Sequence, residues 1–207
     1  MIKFHEMEQQ TDEWFELRNK FPFTASKAQS IGSNGKGLNT LILEKLSARF
    51  TTAERVGYSN EHTERGNELE PLARSAYELE NLVTVKEVGF VINDKYELAG
   101  ASPDGLVGKG GIEIKCLGDK AHFANILDFK VDSGYMWQMQ MQILICELEF
   151  VDYVLYNPNF EQSLLIKRVL PDPVKQEKLK EGLKAGAIQY NELLKQYENT
   201  KNNTEIQ

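Results

Sequence analysis

The chain holds little that reacts with oxidants and little that seeks a soft metal. Of its 207 residues only two are cysteine and three histidine. Cys116 and Cys146 offer no disulfide framework, and a cytoplasmic location, in a reducing compartment, is the expectation. His5, His62 and His122 show none of the spacings of a zinc site. No apolar run approaches the ~20 residues needed to cross a bilayer, so no membrane association is expected. The opening segment, Met1-Ile-Lys-Phe-His-Glu-Met-Glu8, lacks the apolar centre of a secretory signal. Basic charge is short too: 24 Lys and Arg stand against 31 Asp and Glu, for a net charge of −7. That argues against a protein that coats nucleic acid by bulk attraction, since phosphates are neutralised by Lys and Arg. It leaves room for an enzyme in which bound cations offset clustered carboxylates. Gly35-Lys36 lacks the remainder of a phosphate-cradling loop, so no nucleoside triphosphate site is read.

What is present is ordinary for a globular domain, with 41% apolar and 27% charged residues. One domain is expected over 1–198, followed by a disordered polar tail over 199–207. Periodicity predicts helices over 12–20 behind a Thr11 or Asp12 cap, after Thr24-Ala-Ser26, over 38–50, and over 61–80 with a kink at Pro71. Further helices are predicted over 135–146 and after Asp172-Pro173, the last with a stripe of Leu179, Leu183, Ala187, Tyr190 and Leu194. Strands are predicted over 83–92, 97–102, 111–116, 150–156 and 163–169. This order gives an α/β fold with a central mixed β-sheet flanked by helices.

The informative stretch runs from Ala101 to Lys115. Alternate residues of a strand share a face, so Glu113 and Lys115 point one way while Ile112 and Ile114 enter the core. A turn on Pro103-Asp104-Gly105 and a Gly108–Gly111 link make a hairpin that can bring Asp104 beside Glu113. Two hard carboxylates bind Mg2+ or Mn2+, the Ile114 carbonyl can add an oxygen, and Lys115 can orient a metal-activated water and stabilise a phosphate under attack. Without context, Asp…Glu-x-Lys reads as a plain surface hairpin. Here the charges sit inside an apolar strand, Ile112-Glu-Ile-Lys-Cys-Leu117. Cys116, next along, is expected to turn away from Lys115 into the core.

With Ser102-Pro-Asp104-Gly and Glu113-Ile-Lys115, the sequence resembles the PD-(D/E)xK nuclease superfamily. More narrowly, it is similar to the lambda exonuclease and YqaJ-type viral recombinase nucleases. Further pieces occur in the same order over roughly 10–160: Trp14-x-x-x-Arg18, Thr24-Ala-Ser26, Arg65-Gly66-x-x-x-Glu70-Pro71 and Tyr135-Met-x-Gln138-x-Gln140. The resemblance implies a restriction-endonuclease-like core and two Mg2+ ions, for which Mn2+ can substitute. Asp104, Glu113, the Ile114 carbonyl and Glu70 would hold the ions, with Glu68 a neighbour that could be confused with Glu70. Lys115 would serve the attacking water. Arg18 and Ser26 would bind a terminal 5′ phosphate, and Ser102 and Gln138 the scissile or an adjacent one. Gln142 lies one turn beyond Gln138, and Gln140 is read as structural. The implied activity is a 5′-to-3′ exonuclease on double-stranded DNA ends that leaves 3′ single-stranded overhangs for phage-type recombination. The implied partners are a single-strand annealing protein and two further copies of the chain in a ring-shaped homotrimer. Lys27, Lys36, Lys45 and Arg49 are candidates to line its channel. The alternatives are an endonuclease or single-strand-specific nuclease on the same fold, and a catalytically silent DNA-binding protein.

Overall fold

The computed structural model describes residues 1–53 and 61–204. The first half comprises β1 (Ile2–His5), α1 (Asp12–Asn19), β2 (Phe23–Thr24), a 3-10 turn over Ala25–Lys27, α2 (Ala28–Ser33), α3 (Lys36–Phe50) and α4 (Glu61–Asn81). There follow β3 (Phe90–Asn93), β4 (Ala99–Ala101), β5 (Gly105–Val107), β6 (Gly110–Lys115), α5 (Asp119–Leu127), α6 (Ser133–Cys146), β7 (Phe150–Tyr156), β8 (Leu164–Val169) and α7 (Pro173–Thr204). Among the described residues no helix is long and apolar enough to cross a membrane.

The α/β architecture is as expected, but its mixed sheet comes as two four-stranded sheets, ordered β1-β3-β4-β2 and β5-β6-β7-β8. Each contains one parallel pair, β2 with β4 and β6 with β7. The segment 83–92, read as one strand, serves both sheets. Lys86 bridges to Leu106 of β5, whereas Phe90–Asn93 pairs with β1. Gly89 marks the changeover, because a Cβ there would lie 2.3 Å from Met7 Cγ. The sequence reading missed β1, β2, β5 and α5; the three strands are too short for their periodicity to stand out. The final helix continues to Thr204, through most of the tail expected to be disordered, and residues 205–207 lie outside the described part. Once a packed stripe has nucleated a helix, each further polar residue adds at little cost.

The core places the strand that matters. Ile112 and Ile114 of β6 are buried with Ala73 and Tyr77 of α4, Val85 and Val154. Each such burial contributes about 1.5–3 kcal/mol. The opposite face of β6 meets α6. Tyr77 donates to Asp152 Oδ2 (2.8 Å), and Arg168 holds the same buried carboxylate with Nε and Nη2, both at 2.8 Å. A buried carboxylate paired this way fixes α4 against β7 and β8, and so fixes whatever the first half of α4 presents to β6.

Candidate active site

The β5–β6 hairpin reverses at Gly108, whose φ of +55° suits glycine. Asp104-Gly105 therefore opens β5 instead of forming the turn. Gly105 is required there because a Cβ would sit 2.1 Å from Val85 Cγ1. Antiparallel pairing of Gly105 with Ile112 sets Asp104 beside the end of β6. Its amide donates to the Ile112 carbonyl (3.2 Å), and its Oδ2 accepts from the Ile114 amide (2.6 Å). Glu113 is fully buried beneath it. One oxygen of Glu113 pairs with Lys115 and accepts from Gln138 Nε2 (2.7 Å); the other accepts from Gln142 Nε2 (2.5 Å). The sequence placed Asp104, Glu113 and Lys115 together, and the hairpin brings them together.

Glu70 arrives from α4. It lines the same cleft as Asp104, Ile114 and Lys115, a space of about 450 Å³ closed by Cys116, Ala121 and Tyr135. Glu68 is exposed and absent from the lining, which separates the two candidates. Arg74, one turn on, holds Glu70 Oε1 at 2.7 Å and Glu87 Oε2 at 3.0 Å. Burial raises the Glu70 carboxyl above its usual value; Arg74 and Lys115 oppose that, and Glu113 adds to it. Burial raises the Asp104 carboxyl further, well above the normal range, with Glu113 the next cause. Burial alone would lower the Lys115 ammonium, but the charges of Glu113 and Asp104 outweigh it and hold it above its usual value. Lys115 is a permanent cation beside carboxylates that repel one another.

Several contacts went unread in the sequence. Gln142 fixes Glu113 as firmly as Gln138 does, a partnership that the one-turn spacing of the two on α6 permits. Gln138, expected at a phosphate, thus holds Glu113 in this structure. Gln140 is structural as expected: it donates to the Leu170 carbonyl (2.8 Å) and accepts from the Asp172 amide (2.8 Å) at the start of α7. The Tyr135 ring lies 5.1 Å beneath the Lys115 ammonium, close enough to favour the cation. Cys116 packs against the cluster of Ile112 and Ile114, as expected, and also lines the cleft; burial with the charges of Glu70 and Asp104 pushes its thiol up to about 11. Asn157, read only as a turn residue, is buried and donates to the Leu117 carbonyl (3.0 Å) and to Asp119 (2.9 Å), fixing the cleft wall.

A second polar group lies on α1 and the 3-10 turn. Thr11 caps α1 by accepting from the Trp14 amide (3.3 Å). One turn later Arg18 stacks over the Trp14 ring (4.8 Å) and donates to Ser26 Oγ (2.9 Å) and Thr24 Oγ1 (3.3 Å). Trp14 Nε1 donates to the Gly89 carbonyl (2.8 Å) and to Ser102 Oγ (3.2 Å). Ser102 therefore stands between this cluster and Asp104. His122 is buried against the Gln162 carbonyl (2.9 Å), and the side chain of His62 lies outside the described part.

Among the described residues no three His, Cys, Asp or Glu side chains close around one point. The carboxylate oxygens are instead held by Lys115, Gln138, Gln142, Arg74 and the Ile114 amide. The donor chemistry nevertheless fits a hard divalent cation: the carboxylates of Asp104 and Glu70 line one cleft, and the Glu113 carboxylate lies buried beside it, bound to Lys115.

Comparison with known proteins bears on this geometry. Residues 13–149 match the model of the YqaJ-like viral recombinase domain. No curated protein sequence matches significantly. Among solved structures, an alkaline exonuclease (LHK-Exo) from Laribacter hongkongensis superposes with a TM-score of 0.83 at 28% identity, covering 94% of this chain and 100% of its own. The same LHK-Exo in complex with dAMP gives 0.84 at 28% identity and equal coverage. A phage-related exonuclease from Haemophilus somnus 129PT shares the fold, with a TM-score of 0.61 at 17% identity over 84% of this chain and 96% of its own.

Proposed function

From the premise that this chain belongs to the YqaJ-like viral recombinase domain family, we propose that it is a metal-dependent exonuclease that degrades double-stranded DNA from its 5′ ends and leaves 3′ single-stranded overhangs. The observation that carries this reading is the convergence of Asp104, Lys115 and Glu70 on one cleft, with Glu113 buried against Lys115, and with a cationic and hydroxyl cluster set apart from it. The alkaline exonuclease named above supports the reaction class.

Asp104, Glu113, the Ile114 carbonyl and Glu70 would hold Mg2+, or Mn2+ in its place, in two positions. Such ions supply an activated water and stabilise charge on the phosphate. Gln138 and Gln142 hold the two Glu113 oxygens and so fix the direction of its carboxylate. Lys115 orients the water by hydrogen bonding and offsets charge that develops on phosphate oxygens. Ser102 offers a hydroxyl to a neighbouring phosphate. Arg18 and Ser26 receive the terminal 5′ phosphate, for which a guanidinium offers paired donors. A ring of three copies working with a single-strand annealing protein completes the proposal.

Incubating end-labelled linear duplex with Mg2+, with and without EDTA, tests the core claim; degradation that EDTA leaves untouched refutes it. Covalently closed circular duplex stays intact under this reading, and nicking of the circle would assign an endonuclease instead. The 5′-phosphorylated duplex should be digested about tenfold faster than the 5′-hydroxyl form, with the preference lost in Arg18→Ala; charge-assisted contacts of this kind contribute about 1.5–3 kcal/mol. Equal rates on both ends in the parent protein remove Arg18 from the end site.

Metal binding should depend on pH with a definite sign. The raised Asp104 carboxyl holds a proton at pH values where a free aspartate has lost it. In the metal-free protein its contribution to stability is present at low pH and is lost as pH rises through that raised value. Metal prefers the ionised form, so Mn2+ should tighten with pH and raise the melting temperature more at pH 8 than at pH 5.5. Identical shifts at both values would show that Asp104 holds no metal.

A further inference from the structure

The loop between β1 and α1 contributes none of the groups assigned so far, yet it is bound to both elements that deliver carboxylates. Gln9 sends its Nε2 to two backbone carbonyls, Val88 and Pro103, each at 2.9 Å. Next to it, Gln10 and Asn67 exchange amide hydrogen bonds at 2.9 and 2.6 Å, and Asn67 lies one turn before Glu70 on α4. Gln10 adopts a φ of +67°, a left-handed backbone that glutamine rarely takes up. Glu6 pairs with Lys86 at the other end of the loop. These residues wall a second space of about 740 Å³, which shares Glu70 and Asp104 with the cleft already described.

The Pro103 contact is the informative one. The Pro103 carbonyl and the Asp104 amide belong to one peptide group, which is planar and stiff. Gln9 holds its oxygen, and the Ile112 carbonyl holds its N–H at 3.2 Å. A plane gripped at both edges has one orientation, and the Asp104 side chain leaves the chain directly from it. The second Gln9 bond, to Val88, anchors the same amide to the strip that passes between the sheets.

We propose that Gln9 is a positioning residue that sets the direction of Asp104 through the Pro103–Asp104 peptide, while the Gln10–Asn67 pair registers that setting against the helix bearing Glu70. The inference rests on the metal-dependent reading above and adds a control on how its ligands are spaced. Groups that hold a metal ligand in place typically change metal affinity or turnover about 10- to 100-fold when removed, because a displacement of about 1 Å at such a centre is costly.

The test uses the full chain with two substitutions. Gln9→Met keeps the length and removes the donor; Gln9→Asn keeps the donor but reaches one carbonyl at most. Each variant is compared with the parent in kcat and KM on 5′-phosphorylated linear duplex, and in Mn2+ titration without DNA. The expected result for Gln9→Met is kcat lower by at least about tenfold, KM within about twofold, and Mn2+ affinity weaker by a similar factor, with Gln9→Asn between it and the parent. A merely structural role would lower the melting temperature and leave kcat per folded molecule and Mn2+ affinity unchanged, and that pattern overturns the proposal. Should Gln9→Met fail to fold, Gln9→Asn with parental kcat and Mn2+ affinity overturns it equally. The Mn2+ titration also separates the two claims: a parent chain that cuts no DNA sinks the nuclease reading, whereas Gln9 variants that bind Mn2+ like the parent sink only the positioning role.

Discussion

Lys115→Ala is expected to digest linear duplex about a thousandfold more slowly than the parent while remaining folded. A preorganised donor aimed at developing charge is typically worth about 10²–10³ in rate. The cation that supplies it here is held in a protonated state by Glu113 and Asp104, with Tyr135 beneath it. The nearby guanidinium groups are committed elsewhere, Arg74 to Glu70 and Glu87 and Arg65 to the Leu117 carbonyl and Asp119. Folding survives because Glu113 keeps Gln138 and Gln142 as donors. Rates from single-turnover digestion, read beside a melting curve, check both halves. A variant cutting within about tenfold of the parent would remove Lys115 from the reaction.

Glu113→Ala should lose activity to the same degree and, unlike the lysine change, should also lose the fold's margin. The glutamate is fully buried and satisfies Lys115 and two amides at once. Its removal leaves a cavity, two amides without an acceptor and an ammonium facing a poorly solvated space. Breaking such an arrangement from one side costs about 3–5 kcal/mol, a large part of the 5–15 kcal/mol by which domains are ordinarily stable. For a chain of this length that corresponds to a fall of about 10 °C in melting temperature. Glu113→Gln retains the volume and one acceptor, so it should be inactive but much closer to the parent in stability. Equal melting temperatures for Glu113→Ala and the parent would show that the observed network carries little free energy.

The contrast between these variants shows what could be read from the residues alone. Alternation in Ile112-Glu-Ile-Lys115 was enough to assign a core face and a site face, because a strand's period of two is nearly independent of context. The stripe on α7 was legible because a helix's period of 3.6 is equally local, and Leu179, Leu183, Ala187 and Tyr190 are buried. Other features depend on distant partners. That 83–92 would leave one sheet for the other follows from Lys86 meeting Leu106 and Phe90 meeting His5, pairings with no local signal. Gln9 looks like any polar loop residue until Pro103 is seen against it. Glu68 and Glu70 were indistinguishable until the direction of α4 was fixed by Tyr77 and Asp152.

The changeover between sheets has a consequence for the product. Ala101 closes a strand of the first sheet and Gly105 opens a strand of the second, so only Ser102, Pro103 and Asp104 separate them. Trp14 and Gln9 clasp that short span from the side of Arg18. If the Arg18 cluster grips a terminus as proposed, jaws so closely coupled leave little play, and each grip is expected to advance the cut by the same increment, yielding fragments of a single size.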